Sequence, residues 1–354
     1  MHRVLLAVIC FVGLMIMLAF DAISILGQDA LRPPKGPAYE FRKITEDIYT
    51  AEGTGTMNVG ANTPIIIGET DVMIVDSHIT PASARVLLEE LKAVTDKPVR
   101  FVVNTHYHFD HAHGNQIFGS NVAIIGHEFT RFMLLNNVRD RRTYRSFTEG
   151  IPEAITDLEG QISELASGAE RENLEDQLYV QENYQAELGE VNPTPPNQTI
   201  KTMMSLYSGD REIQLHFLGR GHTGGDVIVF LPQERVICTG DLVTAGISYM
   251  GDAHVDEWIE TLNKLLDLDF ETVLPGHGEP FTGREPIEAF RGYLEDLWDQ
   301  ASRLHSEGVS AEEAAKRVDM TSHGQYYEGL DESGIDLRAI QRIFEVIDGQ
   351  EIPL

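Results

Sequence analysis

Short apolar runs separated by glycine, asparagine and aspartate turns characterise residues 41–76. Two of these runs, Thr63–Ile67 and Val72–Val75, are separated by four turn-forming residues, and this pattern predicts a β-hairpin. From Pro81 onward the apolar positions recur every three or four residues, which predicts a helix, and another short apolar run follows at residues 101–103. The alternation of strand, helix and strand predicts an α/β fold.

The second half of the chain repeats this order of elements. A helical pattern covers residues 255–266, and a longer one covers residues 285–348. The two halves are therefore coarse copies of one another, with strands first and helices after. The strand-like runs of the second half cover residues 203–207, 212–218, 227–231, 236–239 and 272–274.

Residues 149–190 form an acidic insertion with twelve Asp or Glu residues and a single Arg171. Apolar residues recur at helical spacing in its first half, a second helix is predicted at 170–188, and a proline-rich stretch then ends it. Two interpretations are open. The insertion is a lid over a functional site, or it is a surface helical hairpin whose acidic face is solvated or docked on the arginine-bearing helix predicted at 127–145.

The composition limits the possible partners. The chain has 354 residues, 42% of them hydrophobic, which is enough for a sizeable core. Its 56 acidic residues outnumber 27 Lys and Arg, giving a net charge of −29. Because no excess of cations is present to neutralise phosphates, we expect no nucleic-acid partner and a small-molecule substrate.

The amino-terminal residues 1–27 are set apart by an uncharged apolar run at 4–20. The pattern is typical of a secretory signal peptide, or of an uncleaved membrane anchor, and either predicts an exported protein, periplasmic or secreted. Residues 28–39 have the composition of a linker. Cys10 lies in the leader, so Cys238 is predicted to be a small core residue without a disulfide.

The chemistry is concentrated in one loop, where residues 106–113 contain four histidines and an aspartate. Burying these groups unpaired would be costly, whereas a bound cation would stabilise neutral imidazoles and a carboxylate together. In an extended segment His106, His108 and Asp110 share one face and His111 points elsewhere, so one loop could serve two metal positions. The alternative is a histidine-rich surface loop that binds metal adventitiously.

Three further loops follow predicted strands and carry candidate ligands. They contain Gly221-His222-Thr223, Thr239-Gly240-Asp241 and Pro275-Gly276-His277-Gly278. Each motif is weak alone, because a histidine beside glycine is more often an ordinary loop residue. Four such loops in this order after four strands are hard to explain as chance.

In combination these motifs resemble the metallo-β-lactamase superfamily of binuclear metallohydrolases. The resemblance covers residues 40–285 and implies a four-layer αβ/βα sandwich, in which two mixed sheets face each other with helices outside. From the sequence pattern we expect the helical insertion of 149–190 within that domain and the carboxyl-terminal helices of 286–354 packed against it. The resemblance also implies metals at one edge of the sandwich.

The resemblance further implies two Zn²⁺ ions, with iron or manganese as other divalent metals that would suit the site. A hydroxide shared by the ions would attack the substrate, and Asp110 would be both a ligand and the acceptor of its proton. The implied ligands are His106, His108 and His222 for one ion, Asp110, His111 and His277 for the other, and Asp241 between them.

The aspartate at 241 refines the expected function. Antibiotic-hydrolysing members of the family generally carry Cys or Ser at the position of Asp241, whereas Asp is similar to the glyoxalase II and lactonase branches. We therefore expect an exported hydrolase of a small ester, thioester, lactone or amide. The alternatives are a β-lactamase proper, a mononuclear iron oxygenase resembling persulfide dioxygenase, and a non-catalytic binding protein on the same fold.

Several other polar residues are candidates for the surroundings of the site. Asp76 is predicted to orient a metal-ligating histidine, and Tyr249 with its loop is predicted to contact substrate. His113 either contacts a metal ligand or the substrate, or is a loop histidine near solvent. Three more histidines either line the cleft or are ordinary structural residues: His78, His127 and His254.

Overall fold

The computed structural model describes residues 31–350, so the predicted leader lies outside the described residues. Over this range the strands form two sheets. The first sheet runs in chain order: β1 (Tyr39–Lys43), β2 (Ile48–Gly53), β3 (Thr63–Ile67), β4 (Val72–Val75), β5 (Val99–Val103), β6 (Ala123–His127) and β7 (Gln198–Ile200). The second sheet contains β8 (Met203–Ser208), β9 (Arg211–Phe217), β10 (Val227–Leu231), β11 (Val236–Gly240), β12 (Thr272–Pro275) and β13 (Phe281–Thr282).

Ten α-helices lie between residues 31 and 350, and several of them pack on the outer faces of the two sheets. None of those between residues 31 and 350 combines the length and hydropathy needed to span a bilayer. In chain order they are α1 (Pro81–Glu90), α2 (Phe109–Ala112), α3 (Glu128–Leu135), α4 (Arg142–Thr148), α5 (Ile151–Glu164), α6 (Ala169–Leu188), α7 (Val255–Leu266), α8 (Glu285–Ser306), α9 (Ala311–Arg317) and α10 (Leu337–Ile347).

Three apolar layers hold the sheets and helices together. Between the sheets, side chains such as Val103 of β5 and Cys238 of β11 are fully buried. The outer face of the first sheet packs on α1 through Leu87, and that of the second packs on α7, α8 and α10 around the buried Trp258. This order of layers is the predicted αβ/βα sandwich, and its stability comes mainly from burial of these apolar faces.

Parallel pairing determines where the loops of the sandwich meet. β3 and β4 form the predicted antiparallel hairpin, whereas β4, β5 and β6 are parallel, as are β11 and β12. The carboxyl ends of β4, β5, β11 and β12 therefore lie at one edge. Backbone hydrogen bonds join the sheets there, from Val227 N to Thr105 O at 2.7 Å and from Asn62 N to Gly276 O at 2.7 Å.

Two helix predictions were wrong in extent. The single helix predicted at 127–145 is broken into α3 and α4, because Asn137 adopts a left-handed φ of 54° that asparagine tolerates better than most residues. The helical pattern over 285–348 forms three α-helices, α8, α9 and α10, separated by residues 307–310 and by residues 318–336, which hold only a short 3-10 turn. Gly308, before α9, and Gly329 and Gly334, before α10, have positive φ values that do not belong to a right-handed helix.

The acidic insertion folds into the antiparallel helices α5 and α6, as predicted. Its acids do not dock on the arginines of 127–145, apart from the local pair of Arg145 with Glu149. Instead Arg32 Nη2 lies 2.6 Å from Glu182 Oε2, and Lys35 pairs with Asp176. The segment predicted to be a linker therefore supplies cations that hold α6.

Glu187 on α6 anchors the insertion to the start of α1. Its buried carboxylate accepts a 2.6 Å hydrogen bond from Thr80 Oγ1, and burial raises its pKa to about 7. A raised carboxyl pKa contributes stability that is complete below the unfolded value and is lost as pH rises through 7.

We therefore expect Glu187→Gln, which keeps the acceptor oxygen, to stabilise the protein at pH 8 by on the order of 2–3 kcal/mol and to change little at pH 4. Thermal unfolding at the two pH values measures the difference. The exposed Glu172 on the same helix provides the control, since Glu172→Gln should give no pH-dependent gain. Equal effects of Glu187→Gln at both pH values would contradict the prediction.

Candidate metal centre

All seven predicted ligands lie together at the edge where the carboxyl ends of the strands meet. The loop after β5 and the short helix α2 carry four of them, and the loop before β10 carries His222. Asp241 follows β11 directly, and His277 follows β12. The topology therefore converts four separate sequence motifs into one cluster.

Three imidazoles form the first group. His106 Nε2 and His222 Nε2 each lie 3.0 Å from His108 Nδ1. All three rings are buried, and one nitrogen from each lies within 4.8 Å of the others. Three imidazole nitrogens converging in this way form a donor set that suits a zinc-like divalent cation.

The second group combines carboxylates and imidazoles. Asp110 Oδ2 lies 3.1 Å from His277 Nε2 and 3.4 Å from His111 Nε2. Asp241 faces both groups, because its Oδ1 is 3.4 Å from His111 Nε2 and its Oδ2 is 3.6 Å from His222 Nε2. This carboxylate could therefore contact cations in either position.

Buried polar atoms without partners indicate that the residues fit a cation. His111 Nε2 and Asp241 Oδ1 are both buried, and neither has a hydrogen-bond partner in the part of the chain that the structure describes. The backbone is also shaped around the carboxylate, since a Cβ on Gly276 would lie 2.3 Å from Asp241 Oδ1. Bound cations would satisfy these nitrogen and oxygen atoms.

The two groups differ in their electrostatics. Burial lowers the pKa of His106, assisted by the neighbouring His111, and burial lowers the pKa of His222 to about 3. Asp241 raises the pKa of His277 to about 10. Burial raises the pKa of Asp241 itself, but the nearby His277 and His111 outweigh this effect and hold the pKa well below its usual value. At neutral pH, His106 and His222 of the first group are therefore neutral imidazoles, whereas Asp241 and His277 carry opposite charges.

Asp76 lies behind the second group. Its Oδ2 is 2.8 Å from His111 Nδ1, and Thr105 donates to both of its oxygens from N and Oγ1, each at 2.8 Å. Asp76 adopts a φ of 70°, which is unfavourable for a residue with a side chain and persists only because these contacts hold it. The arrangement leaves Nε2 of His111 facing the cluster, as expected for an orienting carboxylate.

Asp252 contacts a histidine of the first group in the way that Asp76 contacts His111 of the second, and the sequence analysis did not predict it. Its Oδ2 lies 3.0 Å from His108 Nε2 and accepts a hydrogen bond from Thr143 Oγ1. Asp252 belongs to no motif. Before the structure it is indistinguishable from the helix-start acids Asp256 and Glu257, so no sequence signal would have found it.

The remaining candidate histidines lie away from the cluster. His113 is buried against Phe109 and Tyr144, and neither of its ring nitrogens has a partner among residues 31–350, so the solvent-exposed alternative is wrong. The other three do not line the cavity above the cluster: His78 bonds to Ala61 and Thr63, His127 caps α3, and His254 starts α7.

A cavity of about 300 Å³ opens above the two groups. His108, Asp110, Asp241 and His277 form its floor. No lysine or arginine is among the described residues that line the cavity. The insertion contributes no lining residue either; its Tyr184 packs behind the wall, in one apolar cluster with Ile79 and Phe109. The apolar walls are Ile79, Phe109, Phe147, Ile247 and the ring of Tyr249, so the substrate contact predicted for Tyr249 stays a prediction with the side chain lining the cavity.

The sandwich and the two adjoining donor groups at its edge are those of an α/β protein whose residues could hold metal ions. The family model of the metallo-beta-lactamase superfamily matches residues 58–277. The chain belongs to this superfamily.

Individual relatives are more distant. A linear primary-alkylsulfatase from Pseudomonas sp. (strain ATCC 19151) is 24% identical over 273 residues, which are 71% of this chain and 48% of that protein. The metallo-beta-lactamase IND-1 of Chryseobacterium indologenes is 34% identical over 88 residues, covering 23% of this chain and 37% of that protein. The chain thus spans about half the length of these relatives or less.

Solved structures share the fold. The sec-alkylsulfatase Pisa1 from Pseudomonas sp. superposes with a TM-score of 0.58 at 17% identity, covering 87% of this chain and 50% of that chain. A metallo-beta-lactamase from Pontibacter korlensis superposes with a TM-score of 0.52 at 18% identity, covering 73% of this chain and 99% of that one. At these identities the likeness concerns the fold alone.

Proposed function

We propose that this chain is an exported two-metal hydrolase that cleaves a small, uncharged ester, thioester, lactone or amide. The observation that supports it best is the convergence of seven nitrogen and oxygen donors in two groups below an apolar cavity. Export rests on the apolar pattern of residues 4–20 alone.

The roles of the residues follow from their positions. Two divalent cations bound to the donor groups would polarise the scissile carbonyl and lower the pKa of an attacking water to about 7. Asp110 would accept the proton of that water; its lining of the cavity, with Oδ2 beside both second-group imidazoles, supports this role. Asp241 holds the two groups at a fixed separation, and Asp76 keeps the tautomer of His111.

The cavity walls favour an uncharged substrate. Phe109, Phe147 and Ile247 offer apolar contact to a group beside the scissile bond. An anionic substrate would bring a charge into a cavity without a lysine or arginine among its described lining residues, and only the cations would offset its desolvation.

An alkyl sulfate ester is the second candidate, favoured by the similarity to the linear primary-alkylsulfatase. It ranks lower because its sulfate would remain charged in the cavity. A β-lactam substrate also ranks lower, because the chain carries Asp241 where antibiotic-hydrolysing members carry Cys or Ser. The second donor group counts against a single-iron oxygenase.

A substrate panel with zinc-loaded protein tests the proposal. We expect turnover of p-nitrophenyl esters, thioesters or lactones with small apolar acyl groups, at rates above those for alkyl sulfates and β-lactams. Elemental analysis of protein purified without added metal should give two divalent ions per chain. A single iron per chain, or no turnover of any member of the panel, would contradict the proposal.

A further inference from the structure

The segment that carries Asp252 is clamped on both sides. The peptide oxygen before it, Gly251 O, accepts a hydrogen bond from Arg142 Nη2 at 2.7 Å. The peptide oxygen after it, Ala253 O, accepts one from Arg342 Nε at 2.9 Å. Two guanidinium groups thus fix the backbone on either side of this one carboxylate.

Both arginines are tied to the last helix, α10. Arg342 lies on α10 and is 1% exposed, although burying a guanidinium is costly without compensating contacts. Arg142 reaches α10 through Glu345, whose Oε1 lies 2.8 Å from Arg142 Nη1. A second arginine of α10, Arg338, lies over the ring of Tyr249 on the cavity wall, 5.1 Å from the ring centroid.

The other end of this chain of contacts is a candidate metal ligand. Asp252 Oδ2 lies 3.0 Å from His108 Nε2, which leaves His108 Nδ1 facing the nitrogens of His106 and His222. A carboxylate on the far nitrogen of a ligating histidine fixes its tautomer and ring orientation, and losing it typically weakens metal affinity.

We propose that α10 is a positioning element of the metal centre, which acts through Arg342 and Arg142 on Asp252 and through Asp252 on the ring of His108. The helix lies outside the range matched by the family model, which ends at residue 277. The inference rests on the proposed function only in that His108 must bind a metal ion. It requires no particular substrate.

Two measurements on the full chain test this inference. Chelator competition gives the stepwise zinc affinities, and the visible spectrum of the cobalt-substituted protein reports the metal's ligands. We expect Asp252→Ala to weaken one of the two ions about 10- to 100-fold and to alter the cobalt spectrum. Arg342→Met should weaken the same ion by a smaller factor, about threefold to tenfold, and leave the other unchanged. Arg317→Met, on the surface of α9, is the matched control and should change neither.

A loss of affinity for only one of the two ions distinguishes a positioning role from general destabilisation of the protein. Wild-type affinities and spectrum in Asp252→Ala would overturn the whole inference, and equal weakening of both ions in Arg342→Met would overturn the role of α10. Should Arg342→Met fail to fold, Glu345→Gln removes the carboxylate that both Arg142 and Arg342 contact, and it is held to the same criterion. If the wild-type protein hydrolyses no substrate while the variants show the selective loss of one ion, the proposed function is refuted and this inference stands.

Discussion

Asp241→Ala should lose metal ions and at least about a thousandfold in kcat/KM, since metal-based stabilisation of the transition state is worth several kcal/mol and each 1.36 kcal/mol is tenfold. Asp241 is the carboxylate that faces both donor groups, so its removal affects both positions. Metal content by elemental analysis and kcat/KM for the best substrate of the panel measure the two effects. His108→Ala should likewise lower both the metal content and kcat/KM.

The fold should survive the Asp241 change, because the side chain lies at the edge of the sandwich and not between its sheets. Far-ultraviolet circular dichroism and thermal unfolding check this. Asp269→Ala, at an exposed position, is the control for loss of one negative charge and should keep full turnover. An Asp241→Ala protein that retains two ions and full activity would refute the assigned role.

Zinc affinity should rise steeply with pH. In the metal-free protein Asp241 raises the pKa of His277 to about 10, and the surrounding aspartates overcome burial to raise that of His111. Both rings therefore hold protons at neutral pH, and an ion that binds them must release those protons. Affinity should increase about tenfold per pH unit for each proton released, in the range below pH 10.

Chelator competition at pH 6, 7 and 8 measures this slope, and calorimetry in buffers of different ionisation enthalpy counts the protons released. His305→Gln, which changes a histidine on α8 far from the cluster in sequence, should keep the slope. A zinc affinity that does not change with pH, after correction for the buffer, would show that the rings are neutral before binding.

The strands and the candidate ligands were largely predictable from sequence, for a local reason. The apolar runs of β3 and β4 and the turn between them lie within thirteen consecutive residues, so the hairpin was predicted with its observed bounds. The ligand motifs follow strand ends, and parallel pairing brings such ends together.

The features that sequence did not reveal depend on distant partners. Asp252 meets His108 across 144 positions, and Arg342 meets Ala253 across 89, so no local pattern marks either contact. The break between α3 and α4 depends on one asparagine in a left-handed conformation, within a segment whose apolar period is otherwise helical. The cations that pair with α6 come from a segment whose composition resembles a linker.

The buried thiol between the sheets has a consequence for the chemical durability of the protein. Cys238 is fully buried, and burial raises its pKa well above the usual value, so the reactive thiolate is scarcely populated. An oxidising surrounding can reach this sulfur only when the two sheets separate. Chains oxidised or cross-linked at Cys238 would then have come from molecules in which the sheets had already separated. The oxidation state of this sulfur therefore reports earlier unfolding.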